Sequence, residues 1–128
     1  MILDSSAIVA VMLAETGHKT VLDKIVSSAV VAVSAPTVVE AAMVLSSRLG
    51  RDVRPELNEF LRQAEVEVIP FTDEHVSLAT DAFLRYGKGR HPAALNFGDC
   101  LAYAAAALSA SPLLFAGKDF SRTDIQPA

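Results

Sequence analysis

The chain has 128 residues, 52% of them hydrophobic, and a formal net charge of −4. That length suits one domain, residues 1–128, around one core, and no apolar stretch reaches the roughly 18 residues of a membrane-spanning helix. The single cysteine, Cys100, excludes an internal disulfide and a cysteine-rich zinc site, and the acidic balance argues against nucleic-acid binding through overall positive charge.

In chain order, Met1-Ile2-Leu3 reads as a short buried strand. Asp4 interrupts that run early and no basic region precedes it, so a signal peptide is not expected and a cytoplasmic protein is. Ser5 or Ser6 is placed to cap a helix to about Ala14, and Glu15-Thr16-Gly17 breaks it. A second helix covers Lys19 to Ser27, and the β-branched run Val30-Val31-Ala32-Val33 reads as a second strand. Pro36 is acceptable in the first turn of a third helix, which Gly50 ends. Leu57, Phe60, Leu61 and Ala64 recur at helical spacing. Glu67-Val68-Ile69-Pro70 reads as a third strand, and Thr72 or Asp73 caps a helix to about Arg85. Tyr86 to Phe97 reads as a loop, Gly98 to Ala110 as an alanine-rich helix, and Leu113-Leu114-Phe115 as a fourth strand. Asp124-Ile125-Gln126 is a candidate fifth strand. Strands alternating with helices predict an α/β fold with a mainly parallel sheet of four to five strands.

Acidic residues interrupt or end the apolar runs at Asp4, Glu40, Asp99 and Asp119. A buried carboxylate is costly unless it is paired or holds a cation. In parallel sheets, sites form beyond the carboxyl ends of the strands, where Asp4 and Asp119 fall. Singly, each acid has a structural alternative. Asp4 is a good helix cap, and Asp99 complements a helix dipole. Glu40 shares a possible solvated stripe with Thr37, Ser47 and Arg51. Asp119 and Asp124 both suit loop capping, with Asp124 the second choice for a site. An all-carboxylate set favours Mg²⁺, with Mn²⁺ as a substitute, over zinc. His18, His75 and His91 show no ligand spacing and are expected at the surface, and Cys100 is expected to be a packed structural thiol. The only dense basic cluster is Arg85, Lys88, Arg90 and His91, a candidate for RNA phosphates or else a solvated loop. Tyr86 and Phe97 are candidates for base stacking, with core packing expected for Phe97.

Several segments in order resemble PIN domains, specifically the VapC toxins of toxin–antitoxin pairs. They are Met1-Ile2-Leu3-Asp4-Ser5-Ser6-Ala7, Val38-Val39-Glu40, Tyr86 to Pro92, Leu95-Asn96-Phe97-Gly98-Asp99-Cys100, and Phe115 to Phe120 through Ile125. The resemblance covers nearly the whole chain and implies a PIN-like three-layer α/β/α sandwich. It implies a Mg²⁺-dependent endoribonuclease with Asp4, Glu40, Asp99 and Asp119 as metal-binding and catalytic carboxylates, supported by Ser6. It also implies an RNA substrate, a VapB-type antitoxin partner and a homodimer. Lys118 departs from the family pattern, in which an acidic or polar residue often precedes the last aspartate. Two other readings compete: a catalytically silent PIN-like binding module, and an aspartate-based phosphotransfer enzyme. The second wants another acid two residues after Asp4, where Ser6 stands.

Overall fold

The computed structural model describes residues 1–128. The elements are β1 (Ile2–Leu3), α1 (Ser5–Met12), α2 (His18–Ser27), β2 (Ala32–Ser34), α3 (Ala35–Leu49), α4 (Arg54–Gln63), β3 (Glu67–Ile69), α5 (Asp73–Tyr86), α6 (Phe97–Leu108), β4 (Leu113–Leu114) and a 3-10 turn at Asp119–Arg122. The strands form one four-stranded sheet in the order β3-β2-β1-β4, and every pairing is parallel.

The strands are short but their side chains alternate cleanly between faces, as a period of two requires. Leu3, Val33 and Leu114 point to one face, where Ile8, Ile25, Leu45 and Leu57 of α1 to α4 cover them. Ile2, Ala32 and Leu113 point to the other and pack against Ala82 and Tyr86 of α5 and Ala102, Tyr103 and Ala105 of α6. Each face is a separate apolar cluster, so the molecule is an α/β/α sandwich.

Three expectations are corrected. The second strand lies at Ala32–Ser34 instead of Val30–Val33, and Val30 is 65% exposed. Ser34 enters the strand because its buried hydroxyl bonds that of Thr37 at 2.8 Å, a pairing that makes a polar strand residue tolerable. The tail adds no fifth strand. It makes one bridge, in which the Leu113 N–H donates to Gln126 O at 2.9 Å and the Ala128 N–H donates to Leu113 O at 3.0 Å. Pro127 has no N–H with which to extend the ladder. Finally, His75 is buried rather than at the surface. Its Nδ1 accepts the Thr72 N–H at 3.0 Å and closes a capping box at the start of α5.

Connectivity positions the site. The chain moves outward from β1 through β2 to β3, then returns to place β4 on the opposite side of β1. The strand order therefore reverses between β1 and β4. A crevice forms beyond the carboxyl ends of the strands at such a point. No helix is long and apolar enough to cross a membrane.

Candidate active site

Asp4 is the first residue beyond β1, and its N–H still donates to Leu114 O of β4 at 2.9 Å. It is 3% exposed. Its Oδ2 accepts the Ser6 N–H at 3.0 Å and the Ser6 hydroxyl, so Asp4, not Ser5 or Ser6, caps α1. Its Oδ1 is buried with no partner, the one such side-chain atom in the molecule. Capping thus accounts for half of this carboxylate and leaves the other half unexplained. Burial holds its pKa above the usual carboxylate range, partly offset by the two Ser6 bonds.

Ser6 joins the two sides of the crevice. Its Oγ donates to Asp4 and accepts the Ala116 N–H at 3.0 Å. The exit from β4 is therefore tied to the start of α1 by one hydroxyl. The segment beyond it carries Asp119, exposed on its 3-10 turn, and the turn is anchored by Phe120, which is 2% exposed and lies 5.1 Å from the Phe115 ring centroid. Burying one such aromatic stabilises the turn by about 1.5–3 kcal/mol.

Asp99 enters from α6, where it forms a capping box with Asn96: Asp99 Oδ2 accepts the Asn96 N–H and Asn96 Oδ1 accepts the Asp99 N–H, both at 2.9 Å. Burial pushes its pKa up to about 6, and the charges of Asp4, Asp119 and Glu40 push in the same direction. Glu40 projects from α3 and is half-buried; desolvation first and Asp4 second raise its pKa. The solvated stripe suggested for Glu40 does not form, because Thr37 is 1% exposed and faces the core. Asp99 thus lies in the field of the other three acids, and Asp4 in that of Asp119 and Glu40. No three His, Cys, Asp or Glu side chains stand at metal-ligand spacing. A buried acceptor without a donor, beside carboxylates of raised pKa, fits a hard cation. Mg²⁺ takes one or two carboxylates directly and keeps several waters, so this open set suits it better than a closed protein cage.

A family model described as PIN domain matches residues 1–126. The chain belongs to the PIN domain family. The chain is 46% identical over 127 residues to Ribonuclease VapC36 of Mycobacterium tuberculosis, covering 98% of this chain and 91% of that protein. Among solved structures it is similar to Mycobacterium tuberculosis VapC20, described as a sarcin-ricin loop cleaving toxin, with a TM-score of 0.79 at 19% identity over 99% of this chain and 97% of that one. It also matches a toxin-antitoxin complex from Klebsiella pneumoniae, with a TM-score of 0.70 at 16% identity over 96% and 92% of the two chains. These two structures share the PIN fold with this chain.

Within the PIN frame the remaining candidates separate. Asp124 accepts the Tyr103 hydroxyl at 2.7 Å and pairs with Arg85 at 3.2 Å. That clamp ties the tail to α5 and α6 and engages Asp124 and Arg85 with each other and with Tyr103. His91 stacks edge-on against Tyr86, and its Nδ1 accepts the Ala93 N–H at 3.1 Å, so it shapes the loop. Lys88 and Arg90 remain on the surface, with the Arg90 guanidinium 5.1 Å from the Phe83 ring centroid. Lys118 is exposed and precedes the Asp119 turn. Cys100 is buried, which pushes its thiol pKa up; a thiol in that state is a poor nucleophile. The aromatic expectations are reversed: Tyr86 is buried and Phe97 is 80% exposed. Phe97 is the first residue of α6, where only the turn beginning at Gly98 and Asp99 faces inward.

One residue escaped the sequence reading. A Cβ built at Gly98 would fall on the Glu40 carboxylate, so the bare backbone of α6 is what lets Glu40 lie against it. The signal was a glycine in the first turn of an alanine-rich helix, against propensity. Gly98→Ala is expected to fold normally, because Glu40 can swing aside, and to gain up to about 1 kcal/mol of helix stability. Its RNA cleavage should nonetheless fall about tenfold or more, the scale for misplacing a metal-site group. Thermal melts run beside a cleavage assay check both halves.

Proposed function

We propose that this protein is a VapC-type endoribonuclease toxin that hydrolyses RNA phosphodiester bonds at the crevice shared by Asp4, Glu40, Asp99 and Asp119, with Mg²⁺, or Mn²⁺ in its place. The observation that carries this reading is the buried, partnerless Oδ1 of Asp4 within the field of three other acids. An acceptor so placed calls for a positive charge. When bound, the cation supplies the charge that offsets the phosphodiester and lowers the pKa of a water.

Asp4 and Asp99 would hold the cation, each with one oxygen fixed by its own helix start and the other free. Glu40 completes the set from α3. Asp119, at the exposed mouth, orients the water whose oxygen forms the new P–O bond as the bond to the leaving ribose oxygen breaks. Ser6 holds Asp4 at a fixed angle. Lys88 and Arg90 take RNA phosphates, contacts that weaken with salt. A VapB-type antitoxin as partner, a homodimer and a cytoplasmic setting complete the reading. The toxin–antitoxin complex from Klebsiella pneumoniae, which has this fold, supports the antitoxin.

Purified protein is expected to cleave single-stranded RNA in Mg²⁺, to stop in EDTA, and to recover when Mg²⁺ or Mn²⁺ is restored. Cleavage that persists in EDTA would sink the mechanism. Calorimetric titration with Mn²⁺ separates it from a silent binding module, which would take up no ion at Asp4. The phosphotransfer reading has a specific obstacle. Ser6 stands where its second acid belongs, and that hydroxyl already serves Asp4 and Ala116.

A further inference from the structure

Phe97 stands between two clefts. On one side a cleft of about 470 Å³ is lined by Pro36, Val39, Met43, Leu101 and one of the four acids, Glu40. On the other a cleft of about 450 Å³ is lined by Thr80, Phe83, Lys88, Asn96 and Cys100. Phe97 is a wall of both. Its ring is 80% exposed and pairs with no other aromatic ring. A large apolar ring left this open in the first turn of the helix that carries Asp99 is unexplained by packing.

We propose that the second cleft is a nucleobase subsite, in which an unpaired RNA base next to the scissile phosphate stacks on Phe97 while Lys88 and Arg90 hold a flanking phosphate. This deepens the ribonuclease reading and rests on it. Charge selects the occupant. The cleft lining carries Lys88 and no carboxylate, and Arg90 lies over its Phe83 wall. Across the Phe97 ring the lining carries Glu40 and no cation. A flat aromatic ligand joined to anions fits the cationic side, and a nucleotide is such a ligand. A duplex does not fit, because its bases already stack on one another; an unpaired strand offers the free face that aromatic side chains take. Phe97 also walls the cleft that carries Glu40, and Asp99 follows it by two residues on α6, so a base on this ring would sit beside the acids.

The chain contains no tryptophan, so Phe97→Trp supplies a single reporter. In a Phe97→Trp, Asp99→Asn double variant, which holds RNA uncut, an unstructured hexanucleotide RNA is expected to quench the tryptophan. In a series with each nucleotide in turn made abasic, one position should abolish the quenching. In the otherwise native enzyme, Phe97→Ala should raise KM for the same RNA about tenfold or more, the size of one base–aromatic stack, with kcat within about threefold. Phe97→Trp should keep the native KM. Lys88→Ala should raise KM and flatten its salt dependence. Quenching by no RNA, or an unchanged KM in Phe97→Ala, overturns the subsite; the second result would assign the exposed ring to an apolar protein partner instead. Quenching is read without turnover. RNA that quenches normally but is never cut by the native protein in Mg²⁺ supports the subsite and refutes the reaction.

Discussion

Asp99→Asn is expected to lower RNA cleavage by about 10²–10³-fold, the scale of removing a preorganised electrostatic group, while raising the melting temperature of the metal-free protein. The two effects share a cause. Asp99 is 8% exposed and sits among Asp4, Asp119 and Glu40, and its pKa stands at about 6 against an ordinary 3.8. The native state therefore resists ionising it. A carboxyl whose native pKa is raised contributes its stability below the unfolded pKa, and that contribution is lost as pH rises through the native pKa. For Asp99 the window runs from about pH 4 to about pH 6, and the loss amounts to at most about 3 kcal/mol. Asparagine stays neutral, and its side-chain oxygen can still accept the Asn96 N–H that Asp99 now takes. It forfeits about 0.5 kcal/mol of helix-dipole stabilisation, so the net gain at pH 7 is about 1–2 kcal/mol, or several degrees. Melts of both proteins at pH 4, 5, 6 and 7 without metal should diverge as pH rises. The native protein should keep part of the slope in either case, because Asp4 and Glu40 shift in the same direction. Added Mg²⁺ should close the gap from the native side only. A melting temperature that falls in Asp99→Asn at pH 7 would show that the acids are not held under mutual strain.

Elements bounded by strong local signals were legible in the sequence. Gly50, at φ 66, ends α3 where the glycine stands, and the helical spacing of Leu57 and Leu61 placed α4. The parallel α/β class followed from alternation alone. What failed were features set by tertiary partners. Ser34 belongs to β2 because Thr37 meets its hydroxyl, and nothing in a run of valines announces that pairing. The β-branched residues at Val30 and Val31 misled because strand propensity measures fit to a half-buried surface, and Val30 has no such surface to fit. Phe97 was expected inside on hydrophobicity, yet its position as the first residue of α6 puts it at a rim. The acid positions were legible because ionisable groups break apolar runs. Their shared rim was expected from the strand ends of a parallel sheet, but the strand order that puts β4 beside β1, and with it the Asp119 turn beside Asp4, was not. Asp124 shows the limit of such spacing: five residues beyond Asp119, it pairs with Tyr103 and Arg85 in a clamp of its own.

Ser6→Ala tests whether the crevice is set by the hydroxyl that spans it. Two bonds are lost at once. Asp4 Oδ2 loses a side-chain donor, keeping the Ser6 N–H at 3.0 Å. The Ala116 N–H, which donates to Ser6 Oγ at 3.0 Å, is left without its acceptor. An unmet donor of this kind costs about 1–3 kcal/mol, with the lower half of that range expected because Ala116 is only partly buried. The catalytic effect should be larger than the loss of stability suggests. The Ser6 bonds counter the burial that raises the Asp4 pKa, so removing the hydroxyl raises it further and weakens the hold of Asp4 on a cation. Losing an orienting partner of a metal ligand typically costs 10- to 100-fold, and a decrease of about that size in cleavage is expected at pH 7. The defect should deepen below pH 7, ease above it, and shrink at high Mg²⁺, whereas a merely destabilised protein would follow none of these trends. Ser6→Thr keeps the hydroxyl and should restore most activity. If Ser6→Ala cleaves as well as the native protein at every pH and Mg²⁺ concentration, Asp4 is held by its backbone bond alone, and the link between β4 and α1 has no part in catalysis.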